Sequence, residues 1–173
     1  LQNELDANGA VIPMNGRPYA VADFWNRGVG IVTPHRAQQA LTVSRLQNVF
    51  PVVTPSSIRT AVDTVERFQG QQRDVVLATF ALGDPDAIAD EDEFLLSLNR
   101  FNVMASRARA KLIVLVSQEV VDHLSSDMSV LQGSALLKGY ADLFCSQSRP
   151  MSLGYLDTTG APTVVNGAFR WHA

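Results

Sequence analysis

Three short stretches of this 173-residue chain gather the side chains that could act on a phosphate-bearing ligand. The first is Gly30-Ile31-Val32-Thr33-Pro34-His35-Arg36-Ala37-Gln38. An apolar run there meets a hydroxyl and a helix start, and the fresh N–H groups of a helix, with that hydroxyl, can hold a phosphate oxygen. The second runs from Asp63 to Asp74 and crowds Thr64, Glu66, Gln69, Gly70 and Gln72 in front of another apolar run. Gly70 permits close backbone approach or a positive φ, while Gln69 and Gln72 offer donors and acceptors without charge. The third, Asn99 to Arg109, carries Arg100, Ser106 and Arg107. Its Phe101, Met104, Ala105 and Ala108 recur at helical spacing, which sends Arg100 and Arg107 to another side, two turns apart. The planar guanidinium fork suits phosphate, and an arginine brought to a γ-phosphate stabilises the charge on the transferring group. Each stretch alone also has a plainer reading: a capped corner, a solvated turn about Gly70, and an exposed arginine pair.

The elements that must position these stretches follow from periodicity. Val29 to Val32 is a short, β-branched apolar run closed by Thr33-Pro34 and predicts a buried strand. Residues 36–49 suit a helix, Ile58 to Asp63 a second strand, Asp74 to Phe80 a third and Leu112 to Val116 a fourth. Between the last two, Asp84 to Glu93 reads as an acidic, solvated loop, followed by a helix from about Ser97 to Ala110. A short helix is expected over 19–26, with helical segments at 118–125 and 129–145 and a hairpin about Thr159-Gly160. Near-continuously apolar strands separated by helices predict an α/β fold, a mostly parallel sheet covered on both faces in three α/β/α layers. Ligands of such sheets meet the loops at the carboxyl ends of the strands, so all three polar stretches are expected there. The chain divides into a lead-in at 1–28, a main domain at 29–145 and an extension at 146–173.

Composition removes several classes. Of fourteen basic residues twelve are arginine, and the only lysines, Lys111 and Lys138, follow Ala110 and Leu137 rather than a glycine. Neither can serve a G-x-x-x-x-G-K-[ST] phosphate loop, so the chain should not hydrolyse a nucleotide unaided. No stretch approaches the ~20 apolar residues of a membrane span, and no secretory signal is visible. Leu1 reads as the edge of a cut-out segment. Cys145 is the single cysteine, which leaves no disulfide framework and fits a reducing, cytoplasmic setting. His35, His123 and His172 are too dispersed for a metal-ligand pair, and no metal site is expected. A net charge of -3 argues against coating a duplex through phosphate contacts, but leaves room for a local groove.

In this order and spacing, IVTPHRAQ, TVERFQGQQRD and NRFNVMASRAR resemble motifs IV, V and VI of superfamily 1 helicases, in the branch of the nonsense-mediated-decay and replication-associated enzymes. The family patterns are similar to (I/V)-T/S-P-Y-x-x-Q, (S/T)-V-D-x-F-Q-G-x-E-x-D and R-R-L-N-V-A-L-T-R-A-R, and the likeness covers about residues 29–117. It implies the second RecA-like domain of a P-loop NTPase motor, lacking its own phosphate loop. ATP and Mg²⁺ would be held mainly by a first RecA-like domain of the same polypeptide, and the track would be single-stranded DNA or RNA. Carried over residue by residue, Arg107 matches the motif VI arginine finger, and Gly70, Gln72 and Arg100 match positions near the nucleotide. Thr33, Pro34, His35 and Thr64 match positions along the nucleic-acid backbone, and Glu66 and Gln69 couple the two surfaces.

Departures from the family patterns bear on the chemistry. Gln72 replaces a glutamate, Asn99 the first arginine of the usual pair, Ser106 a threonine and His35 a tyrosine. Nothing in residues 1–28 matches the Q-Y-R-type motif that supplies the family's other γ-phosphate arginine. The resemblance therefore leads to the motor half of an ATP-driven helicase or translocase, inactive as an isolated fragment. A helicase-like domain retained as a non-catalytic nucleic-acid- or protein-binding module stands as the alternative.

Overall fold

Side-chain alternation on two short strands decides the architecture. In the computed structural model, which describes residues 19–80, 82–157 and 159–172, strands β1 (Val29–Thr33) and β3 (Arg73–Thr79) run parallel with Val29 opposite Val75 and Ile31 opposite Leu77. Val29, Ile31 and Leu77 face one apolar cluster, with Trp25, Ile58, Ala61 and Val62. Val32, Val76 and Ala78 face the other, with Phe68, Phe80, Phe101 and Met104. Period-two alternation thus makes both faces of the sheet apolar, and each must be covered by helices.

The covering elements follow in chain order. Helix α1 (Val21–Asp23) runs into a π-helical turn at Phe24–Gly28 and leads to β1, and α2 (Arg36–Val49) follows it. Helix α3 (Pro55–Ala61) joins α2 on the first face and leads to β2 (Val62–Thr64). On the second face lie α4 (Pro85–Asp90), α5 (Asp92–Leu95) and α6 (Leu98–Ala105). After β4 (Ala108–Leu115) come α7 (Gln118–Asp122), α8 (Met128–Gly133) and α9 (Ala135–Gly139) on that same side, the last passing into a π-helical turn at Tyr140–Phe144. The four strands are parallel throughout, in the order β2-β1-β3-β4. This is the expected α/β/α arrangement.

Four expectations need correction. Ile58 to Ala61 is helical, and the second strand keeps only Val62–Thr64; Thr54-Pro55 starts a helix, because proline at its first turn loses no needed N–H. The acidic stretch is not a loop: Asp84 accepts from the Ala87 N–H at 3.0 Å and Pro85 follows, so α4 and α5 form. The third-stretch helix stops at Ala105, and Ala108 to Ala110 belong to β4. The segment expected as one helix over 129–145 is broken into α8, α9 and the π-helical turn. Residues 1–18, and with them most of the lead-in, lie outside the described residues.

A separate antiparallel hairpin ends the chain, β5 (Gln147–Leu156) with β6 (Pro162–Trp171), longer than its Thr159-Gly160 turn alone foretold. It is tied back through Arg170, which pairs with Asp142 and donates to the Ala141 carbonyl at 3.2 Å, and through His172 stacked on Phe144 at 4.3 Å.

Candidate functional site

The polar stretches collect at two opposite ends of the parallel sheet, not at one. At the amino end, β3 and β4 start side by side, with Arg73 opposite Ala108. The Arg73 N–H donates to the Arg107 carbonyl at 3.0 Å, so the loop that ends at Gln72 and the turn that holds Arg107 are joined through backbone. Gly70 takes φ +84, in the left-handed region that a side chain disfavours, and nothing lies within 4 Å of where its Cβ would stand. Gln69, Gly70 and Gln72 are exposed there.

This loop rests on a buried base. Phe68 is fully buried and lies over Gly30, where an added Cβ would meet the Phe68 ring at 2.5 Å and Arg73 Cγ at 2.7 Å. Arg73 is 5% exposed and donates to the carbonyls of Gln72 and Thr60 and to Gln71 Oε1, at 2.8–3.0 Å. Its guanidinium also lies 5.3 Å from the Phe68 ring centroid. Burial lowers its pKa from the ordinary arginine value. A charge so deeply placed is tolerated because both terminal nitrogens are spent on fixing the loop, although its Nε is buried without a partner among the described residues. Asp74, 1% exposed, is held next to it by Tyr19, whose hydroxyl donates to it, and by Arg109, 3.2 Å away.

The three arginines of the third stretch differ in what they touch. Arg109 pairs with Asp74, and Arg100 with Glu66. Arg107 pairs with no carboxylate among the described residues. Its Nε donates to the Val103 carbonyl at 3.3 Å, which leaves the two terminal nitrogens available for a ligand.

At the carboxyl end, Thr33 and Thr64 stand opposite each other on β1 and β2. Both are buried, at 0% and 5% exposure, and the Thr33 hydroxyl donates to the His35 carbonyl at 3.1 Å. Pro34 is half-buried at the corner that follows. Gln38, one turn into α2, donates to the Thr79 hydroxyl at 2.9 Å and so links β1's helix to β3. The His35 ring stacks on Phe94, centroids 5.4 Å apart and planes 15° apart, with Nε2 3.1 Å from Glu91 Oε2. The Arg100 guanidinium lies 3.6 Å from the same Phe94 centroid. Burial alone would raise the pKa of Glu66, but its backbone N–H, the Arg100 charge and the Thr64 hydroxyl outweigh that and hold it below its ordinary value.

The sheet thus brings Gly70, Gln72 and Arg107 together at one end, and Thr33, Pro34, His35 and Thr64 at the other. Arg100, grouped with the nucleotide positions on sequence, lies instead with His35 and Glu66. Reading every polar loop onto the carboxyl ends fails because residues 65–72 cross the sheet face from the end of β2 to the start of β3. Sequence reasoning also passed over Arg73 and Phe94. For Arg73 a signal existed, a charged residue opening an apolar strand; for Phe94 there was none, since His35 lies 59 positions away and Arg100, though near in sequence, sits on the next helix. Among the described residues no group of three or more His, Cys, Asp or Glu could hold a metal ion, and no helix is long and apolar enough to cross a membrane.

A parallel sheet carrying these three motifs in this order defines the second, C-terminal RecA-like domain of a superfamily 1 helicase. The family described as AAA domain matches residues 15–119, and the chain belongs to it. The chain is similar to the probable helicase senataxin of Mus musculus, 35% identical over 93 residues, which cover 54% of this chain and 3% of that protein. It is similar to the DNA replication ATP-dependent helicase/nuclease JHS1 of Arabidopsis thaliana, 26% identical over 125 residues, 72% of this chain and 9% of that protein. A third relative, the probable RNA helicase armi of Drosophila melanogaster, is 31% identical over 90 residues, 50% of this chain and 7% of that protein. The chain therefore spans only a small part of the length of the relatives it matches.

Proposed function

We propose that this chain is the nucleotide-closing, strand-tracking half of an ATP-driven helicase or translocase acting on single-stranded DNA or RNA. The observation that carries this reading is Arg107, the one motif VI arginine whose charge no carboxylate neutralises among the described residues. It stands beside an open Gly70 turn, backbone-tied to a buried arginine. A cationic fork over a fixed base fits the γ-phosphate of a nucleotide held across a domain cleft, where it would act as an arginine finger. Gly70 would admit the nucleotide close to backbone, and Gln72 would offer it a neutral hydrogen bond. Bound ATP, with Mg²⁺ held mainly by a first RecA-like domain, supplies the phosphoryl group and the free energy. What this domain contributes is charge at Arg107, water exclusion when the cleft closes, and a strand path near His35 at the other end of the sheet.

The test uses the whole polypeptide that carries this chain. It should hydrolyse ATP, faster with single-stranded nucleic acid, and Arg107→Ala should abolish turnover with an unchanged melting temperature. Near-normal turnover in that variant refutes the finger. Gln72, in place of the family glutamate, favours a second reading in which the domain binds without catalysing. A whole protein that binds strands but shows no ATP turnover would select it.

A further inference from the structure

Phe94 belongs to none of the three motifs, yet residues from two of them pack on its ring: His35 of motif IV and Arg100 of motif VI. Through Arg100 it reaches Glu66 of motif V. Arg100 stands in the first turn of α6, and Arg107 lies two residues past its end, about 10 Å further along at 1.5 Å per residue. The body of that helix is fixed in the core by Phe101 and Met104, each 3% exposed, so it has little room to bend between its ends. Its far end is tied to β3 through the Arg107 carbonyl and the Arg73 N–H. One short element therefore links the Arg100 cluster to the amino end of β3.

We propose that Phe94 is a positioning residue that couples strand contact to the arginine finger. By holding His35 and Arg100 against one ring, it makes a displacement of the motif IV corner a displacement of the start of α6, and so of Arg107. A charged planar group and a flat ring on the same aromatic give this contact its geometry, because cation–π attraction and stacking both need a π face. An aliphatic side chain would fill the space without holding either partner in register. Arg100, on this reading, relays between the two ends and does not itself meet the nucleotide.

The role rests on the motor reading, and the experiment separates the two. In the whole polypeptide, Phe94→Ala and Phe94→Leu should keep basal ATP turnover and the KM for ATP within about twofold. Their stimulation by single-stranded DNA or RNA should fall roughly tenfold, a usual size for coupling between two sites. Phe94→Tyr should restore it. Should Phe94→Leu behave as wild type, the ring is filler and the proposal fails; equal loss of basal and stimulated turnover, with a lowered melting temperature, also overturns it. Where Phe94→Ala does not fold, the Leu and Tyr pair decides. A wild type without strand-stimulated turnover sinks the motor reading and this role together, whereas an active wild type matched by all three variants sinks only the role.

Discussion

The two ends of the sheet are built on opposite plans. At the amino end, Arg73 is buried with three donors spent on carbonyl and amide oxygens, and Arg107, held by its Nε on the Val103 carbonyl, keeps its two terminal nitrogens unpaired among the described residues. At the carboxyl end the motif side chains engage one another: Thr33 the His35 carbonyl, His35 the Phe94 ring beside Glu91, Arg100 both Glu66 and Phe94, and the Gln38 amide Thr79, with Gln38 Oε1 left buried and unpartnered among the described residues. The contrast separates two demands on a side chain. A group that must meet a transferring phosphoryl is worth most when it is fixed in place and unpaired beforehand, since no existing partner has to be displaced. A group that must pass on a displacement needs partners on both sides.

Arg107 offers the largest test of that contrast. Arg107→Ala should cost about 10³-fold in kcat or more, the range seen when an arginine finger is removed, while single-strand affinity stays near wild type in a filter-binding or anisotropy titration. Loss of both would mean that the two ends do not divide the labour.

Gly30 comes next, because the buried base hangs on it. Gly30→Val would drive carbon into Phe68 and Arg73, and an overpacked core should lose about 1–3 kcal/mol, read as a lower denaturant midpoint at unchanged slope. A variant of wild-type stability would show that the motif V loop does not rest on that contact. Arg73→Met keeps the packing over Phe68 but strands the Thr60 and Gln72 carbonyls, at about 1–3 kcal/mol. Its functional mark should be a raised KM for ATP, from a loosened loop beside Gly70, with strand affinity unchanged.

Glu66 should give the smallest effect. Its carboxyl is held below the ordinary value in the folded protein, so the stabilisation is present above that value and is lost as the pH falls through the lowered pKa. Because Glu66 is about half exposed, solvent screens the pair, and Glu66→Gln at neutral pH should cost only a few tenths of a kcal/mol. Comparing melting temperatures of wild type and Glu66→Gln between pH 7 and pH 3 checks the sign: the gap should close toward acid. A gap that widens there would mean that Arg100 draws its stability from elsewhere.

Much of the main domain could be read in advance because its signals are local. β-branched runs closed by turn residues mark β1 and β3, and helical spacing buries Phe101 and Met104 as expected. The motif residues lie in contiguous runs, so their chemistry was visible without coordinates. The misreadings were also local in origin. Ile58 and Val62 read as one apolar run although Thr54-Pro55 already marked a helix start, and the acids of residues 84–93 masked the Asp84-Pro85 cap that makes α4.

By itself the sequence determined the α/β class, the family and the residues with chemistry to offer, since these depend on periodicity and on side-chain type at short spacing. Tertiary structure alone decided which of those residues share an end of the sheet. Arg73 meets Gly30 across 43 positions, His35 meets Phe94 across 59, and Glu66 meets Arg100 across 34. Contacts of that range are set by strand order and by where each crossover lands, and no window along the chain carries them.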